Sequence, residues 1–159
     1  TGAKGYKIYR NGTLAKTIKD ASVLSWGDTK ATSNGTKYTY KIVAYAAAGD
    51  SKVYKEITIY RLSQPKIPSL TNSAAGKMTV KWGKNGKATG CQIQYSTSSK
   101  FTASTTKTVT IKSNTTVSKV IGSLTKGRTY YVRVRSYKTV SSVNYYSMWS
   151  AASKLKLTK

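Results

Sequence analysis

The sequence predicts an all-β chain, and three observations carry that prediction. Runs rich in Tyr, Val, Ile and Thr alternate with polar residues at period two, as half-buried strands require. Gly, Asn and Ser clusters punctuate these runs, and no stretch shows a sustained helical period. One block then recurs. Gly5-Tyr6-Lys7-Ile8-Tyr9-Arg10 aligns with Gly90-Cys91-Gln92-Ile93-Gln94-Tyr95, and Asn34-Gly35-Thr36-Lys37-Tyr38-Thr39-Tyr40-Lys41-Ile42 aligns with Lys126-Gly127-Arg128-Thr129-Tyr130-Tyr131-Val132-Arg133-Val134, at offsets of 85 and 92 residues. A loop absorbs the difference, so the chain reads as two copies of one β unit.

The elements follow in chain order. In the first copy, the strand Gly5 to Arg10 runs into the Asn11-Gly12 turn, and the Asn34-Gly35 turn opens the strand that reaches Tyr45. Ala48-Gly49-Asp50-Ser51 reads as the next turn. Ser63-Gln64-Pro65-Lys66-Ile67-Pro68 holds both prolines of the chain and marks the boundary between domains 1–63 and 64–159. So short a linker implies a stiff connection. In the second copy, Lys77-Met78-Thr79-Val80-Lys81-Trp82, then Gly90 to Tyr95, then Tyr130 to Val134 are strands, with Leu155 and Leu157 closing the core.

Composition bounds the function. The 159 residues include 28 Lys+Arg, 4 Asp+Glu and no His, a net +24. One or two small domains fit this length. The usual parts of a metal site, a catalytic triad or a carboxylate-pair hydrolase are almost absent. The acids Asp20, Asp28, Asp50 and Glu56 form no visible convergent pair, so the expectation is no enzyme, no catalytic residue, no metal and no cofactor. Thirteen Tyr and 3 Trp supply large buried areas, so folding does not need disulfides. Cys91 has no partner in the chain and reads as a small buried hydrophobe. No run approaches the ~20 apolar residues of a membrane helix.

The charge is uneven. Before residue 65 there are 11 cations against 4 acids, a net +7; from there on there are 17 cations and no acid, a net +17. Such a surface attracts polyanions: nucleic acid, an anionic cell-wall polymer such as teichoic acid, or an acidic polysaccharide. Only five cations are Arg, and Lys binds phosphate as a hydrated point charge without reading a base edge, which argues against nucleic acid. The plainer reading of the same lysines is solubility and protection of strand edges.

The order and spacing of these segments resemble tandem fibronectin type III domains of secreted or surface proteins from Gram-positive bacteria. Lys77 to Trp82 matches strand B with its core Trp, and Gly90 to Tyr95 matches strand C. Leu124 followed by Tyr130 matches the tyrosine corner, and Tyr145-Tyr146-Ser147-Met148-Trp149-Ser150 resembles a Tyr-Ser-x-Trp-Ser opening of strand G. Trp26-Gly27-Asp28 with Asn34-Gly35-Thr36 and Tyr38 matches the same corner in the first repeat. The resemblance implies tandem Ig-like β-sandwiches, an extracellular or cell-surface location, and a family unit of ~90–100 residues. The first repeat is shorter and opens at strand C, lacking strands A and B, so its other sheet should expose apolar side chains. Either the sequence is a piece cut from a longer parent protein with further domains, or another segment or chain donates the missing strands.

Two site readings follow. Alternation places Tyr131, Arg133, Arg135 and Tyr137 outward, and with Tyr145, Tyr146 and Trp149 they form a candidate ligand-binding platform for a sugar ring or anionic glycan. It resembles half of the cation–π ladder of cytokine receptors; in the alternative reading the ladder only rigidifies the sheet. In the first repeat the corresponding face is Lys7, Tyr9, Lys41 and Tyr45. Lys77, Lys81, Lys84 and Lys87 are candidate polyanion contacts. Trp82 and Trp26 read as core. Asn11-Gly12-Thr13, Asn34-Gly35-Thr36 and Asn114-Thr115-Thr116 match a glycosylation pattern but read as turns. The leading expectation is a non-catalytic accessory or spacer module attached to anionic wall polymer. The alternative is a carbohydrate-binding module of a secreted glycoside hydrolase.

Overall fold

The computed structural model describes residues 2–159 and falls into two compact units, Thr1–Arg61 and Leu62–Lys159. The chain is all-β, with three antiparallel sheets.

Unit one is a single sheet. Its strands are β1 (Gly5–Arg10), β2 (Thr13–Ile18), β3 (Lys37–Ala46) and β4 (Gly49–Tyr60), in the spatial order β2-β1-β3-β4. Asn11 and Gly12 join β1 to β2 with φ of 49° and 84°, the paired left-handed conformation that an Asn-Gly hairpin turn uses. The Asn11 Oδ1 accepts the Thr39 N–H across the end of the turn. Cross-strand register puts Tyr6 opposite Ile18, Ile8 opposite Ile42, Tyr40 opposite Ile57 and Tyr38 opposite Ile59, so these residues share one apolar face. Residues 19–36 cross that face without forming a strand and lay Trp26 and Ala31 against it.

The expected gap was strands A and B alone; the structure adds to it, because residues 19–36 also hold no counterpart of the family's strand E. The reason is ladder chemistry. A strand needs a neighbour for its N–H and C=O groups, and that neighbour would be the absent strand B.

Unit two is a complete sandwich. One sheet is β5 (Ser69–Ala74), β6 (Lys77–Lys81) and β9 (Ser118–Ile121); the other joins β7 (Gly90–Ser96), β8 (Thr106–Ile111), β10 (Thr129–Val140), β11 (Val143–Tyr146) and β12 (Ser153–Lys156). Met78, Val80 and Ile121 from the first sheet meet Cys91, Ile93, Tyr130, Val132 and Val134 from the second in one buried cluster with Trp82, Leu124 and Leu157. Trp82 is therefore core, as the sequence implies. Burial pushes the Cys91 thiol up to about 12, so it is a packed neutral group at neutral pH. The Tyr130 hydroxyl accepts the Thr125 N–H at 3.0 Å, closing the tyrosine corner over buried Leu124.

Candidate functional site

The outer face of the larger sheet in unit two is built from β7 and β10. Their register pairs Gln94 with Arg133 and Gln92 with Arg135. Each guanidinium donates two N–H groups to one glutamine oxygen: Arg133 to Gln94 Oε1 at 2.9 and 2.7 Å, and Arg135 to Gln92 Oε1 at 3.0 and 2.8 Å. Only the planar fork of Arg does this, which explains why two of the chain's few arginines stand here. Gln92 and Gln94 are themselves steadied by Thr110 and Thr108 of β8.

Aromatic rings close over the fixed guanidiniums. Arg133 lies 4.1 Å from the Phe101 ring and 4.8 Å from Trp149; Arg135 lies 4.4 Å from Trp149 and 3.8 Å from Tyr146. The sequence of rungs is thus Phe101, Arg133, Trp149, Arg135, Tyr146. Burial lowers the pKa of both guanidiniums, and for Arg135 the Tyr146 hydroxyl opposes that shift. Both stay charged at neutral pH.

Backbone geometry delivers Trp149 to this face. Between the β11 and β12 pairings, residues 147–152 oppose residues 133–136 of β10, so the strand bulges. Two buried serines span the bulge. The Ser136 N–H donates to Ser147 Oγ at 3.0 Å while Ser147 N–H donates to the Ser136 carbonyl at 2.9 Å. Val134 N–H and Ser150 Oγ repeat the pattern at 3.0 Å, with Ser150 N–H on the Val134 carbonyl at 2.7 Å. The spacing of the two serines, read in sequence only as a resemblance, is what keeps β10 fully hydrogen-bonded while Trp149 swings over the arginines. Gln64 also donates to the Trp149 carbonyl.

The structure brings Arg133, Arg135, Tyr146 and Trp149 together, and leaves Tyr131 on the same face one step along β10. It separates two other candidates. Tyr137 is outward by alternation yet only 5% exposed, because its ring lies over Gly90 and against Tyr146 at 6.1 Å. Tyr145 neighbours Tyr146 in β11, so it lies on the opposite face of the strand. Phe101 was missed by sequence reasoning. It sits at φ 52° beside a short 3-10 turn, where no periodicity reports a facing direction. Trp149, central to the expected sugar platform, is engaged by both guanidiniums.

Unit one carries a lysine version of the same face. Lys41 lies 4.1 Å from the Tyr54 ring and 6.0 Å from Tyr9; Lys7 lies 5.7 Å from Tyr45. Lys7 also pairs with Asp50 at 2.8 Å, and that hydrogen bond raises its pKa.

Asp28 and Asp20 are occupied locally. Asp28 receives Arg10 Nη1 at 3.0 and 2.8 Å, the Tyr40 hydroxyl at 2.8 Å and the Lys30 N–H at 2.9 Å. Burial pushes its pKa up, and these donors outweigh that and hold it below the ordinary value. Its partner Tyr40 is pushed up to about 12, by burial first and by Asp28 second. Asp20 caps the Ser22 N–H and hydroxyl, which lowers its pKa. Among the described residues no group of three or more His, Cys, Asp or Glu is placed to hold a metal ion.

The lysine candidates sit on two elements. Lys77 and Lys81 flank β6 and Lys84 and Lys87 lie in the loop before β7; all four are exposed.

No family model matches the chain, and no curated protein matches it. Among solved structures, it is similar to the crystal structure of the FN1–FN3 domains of chicken CNTN1, at 17% identity and a TM-score of 0.49, covering 99% of this chain and 55% of that one. It is also similar to a myokine structure, at 18% identity and a TM-score of 0.49, covering 61% of this chain and 98% of that one. The chain thus spans about half the length of the CNTN1 fragment.

Proposed function

We propose that the chain is a non-catalytic accessory module of an extracellular bacterial protein, holding its parent against anionic polymers of the cell wall by diffuse electrostatic attraction. The observation that supports this reading is the placement of charge. Unit two carries 17 cations and no carboxylate side chain, and all of its lysines but the half-buried Lys138 are exposed. The two acids of unit one that lie beside cations, Asp28 and Asp50, are consumed by Arg10 and Lys7. Lysines spread over many strands and loops suit a flexible polyanion better than a small anion, because each phosphate neutralised releases counterions without demanding fixed geometry.

The arginine and aromatic stack serves this role as a scaffold: two N–H donors of each guanidinium hold Gln92 or Gln94, and the central Trp149 ring lies against both guanidiniums. Co-sedimentation with Gram-positive cell walls, with and without teichoic acid and across a salt series, tests the reading. The expected result is binding that is lost on stripping teichoic acid, falls steeply with salt, and is unchanged by Lys-sparing substitution Trp149→Ala. Binding that persists in salt and collapses in Trp149→Ala would assign the chain instead to glycan recognition.

A further inference from the structure

The two outer faces of unit two differ in how their polar groups are used. On the larger sheet, Arg133, Gln94 and Thr108 form one hydrogen-bonded row, and Arg135, Gln92 and Thr110 form another. The outer face of the β5–β6–β9 sheet is built differently. Met78 and Val80 of β6 point into the core, so alternation turns Lys77, Thr79 and Lys81 outward. Register then sets Ser69 of β5 and Ser118 of β9 on either side of Lys81, and Thr71 and Val120 on either side of Thr79. Among the described residues, the hydroxyls of Ser69, Thr71, Thr79 and Ser118 have no hydrogen-bond partner. Both lysines are exposed, and unit two holds no carboxylate side chain to occupy them.

We propose that this face is a binding site for a polyol phosphate chain, a claim that rests on the wall-polymer reading above and names the surface that holds the polymer. Along β6 the outward order is cation, hydroxyl, cation, with Lys77 and Lys81 about 13 Å apart and Thr79 midway. A polymer that alternates phosphodiesters with polyol units presents the matching order. Its phosphates take the two ammonium groups. Its hydroxyls pair with Thr79 and the flanking Thr71, Ser69 and Ser118, since a hydroxyl both donates and accepts. A nucleic acid would bring flat bases, and this face carries no aromatic ring for them to stack on. The field of the other lysines draws the polymer in, and this face fixes where it lies.

The probes are a synthetic oligomer of glycerol phosphate and an inorganic polyphosphate matched to it in number of charges, each titrated into the intact chain by calorimetry at one salt concentration. Thr79→Val combined with Ser118→Ala removes two hydroxyls and no charge. The expected result is that this pair weakens binding of the glycerol phosphate oligomer about fivefold and leaves binding of polyphosphate unchanged. Lys77→Gln combined with Lys81→Gln should weaken the oligomer by about tenfold, and more than Lys107→Gln combined with Lys112→Gln, which removes the same charge on and beside β8. An oligomer affinity untouched by the hydroxyl pair, a polyphosphate affinity reduced as much as the oligomer's, or equal losses from the two lysine pairs overturns the site and leaves diffuse attraction standing. No binding of either probe overturns the site and the wall-polymer reading together.

Discussion

The two units share a register and differ in what lies over it. Tyr9 faces Lys41 and Lys7 faces Val43 in unit one; Gln94 faces Arg133 and Gln92 faces Arg135 at the equivalent places in unit two. Both strands open on a glycine pressed by an aromatic ring: Gly5 under Tyr45 and the Ile18 carbonyl, Gly90 under Tyr137 and the Ile111 carbonyl. On the inner side, unit two has a second sheet and unit one has a groove. The sheet's own pairing is therefore specified within each copy, whereas the stability that comes from covering it is not.

The largest difference between the units lies in their aromatic cores. Trp82→Ala should cost unit two about 3–5 kcal/mol, because it empties the sandwich centre, while the half-buried Trp26→Ala should cost unit one roughly half as much. Thermal melts followed by residue-resolved NMR separate the two. Gly5→Ala and Gly90→Ala should each cost about 1–3 kcal/mol, since the added Cβ overlaps a backbone carbonyl that cannot swing away. Equal losses in both units would show that this device is independent of the covering sheet.

Arg135→Lys should cost unit two about 1–2 kcal/mol in denaturant titration, by removing the fork to Gln92 and the stacking on Tyr146 and Trp149. Lys41→Arg in unit one should change little, because the group opposite it on β4, Glu56, is exposed and an exposed ion pair contributes little.

The smallest difference is in acid. The folded pKa of Asp28 lies below its ordinary 3.8, so its contribution to unit one is complete above that value and is lost as pH falls through the folded pKa. Unit two has no carboxylate side chain to titrate. Far-UV and NMR titration from pH 5 to 2 should therefore unfold unit one first, and Asp28→Asn should remove most of that acid sensitivity.

Much of this was legible in the residues. The strands of both copies follow from alternation and recurrence, and the Leu124 to Tyr130 spacing pointed to a corner that the Thr125 hydrogen bond completes. Alternation also fixes which face a side chain takes, so the opposed directions of Tyr145 and Tyr146 were available in the sequence. What covers a face was not. Tyr137 is buried by contacts with Gly90 and Tyr146, and the only local sign is the glycine that makes room for it. Phe101 reaches Arg133 from an irregular turn far away in the chain. Residues 23–26 form no strand, and a strand's existence depends on a pairing partner that local pattern does not report.

The comparison is tested most directly by amide hydrogen exchange of the intact chain, comparing Tyr40 and Ile42 of β3 with Val132 and Val134 of β10. Both pairs lie in central strands of equivalent sheets. The account predicts exchange at Val132 and Val134 slower by about two orders of magnitude or more, because only their sheet is covered. Equal protection in β3 and β10 would contradict it, and would mean that the sheet of unit one is stable with its apolar face open.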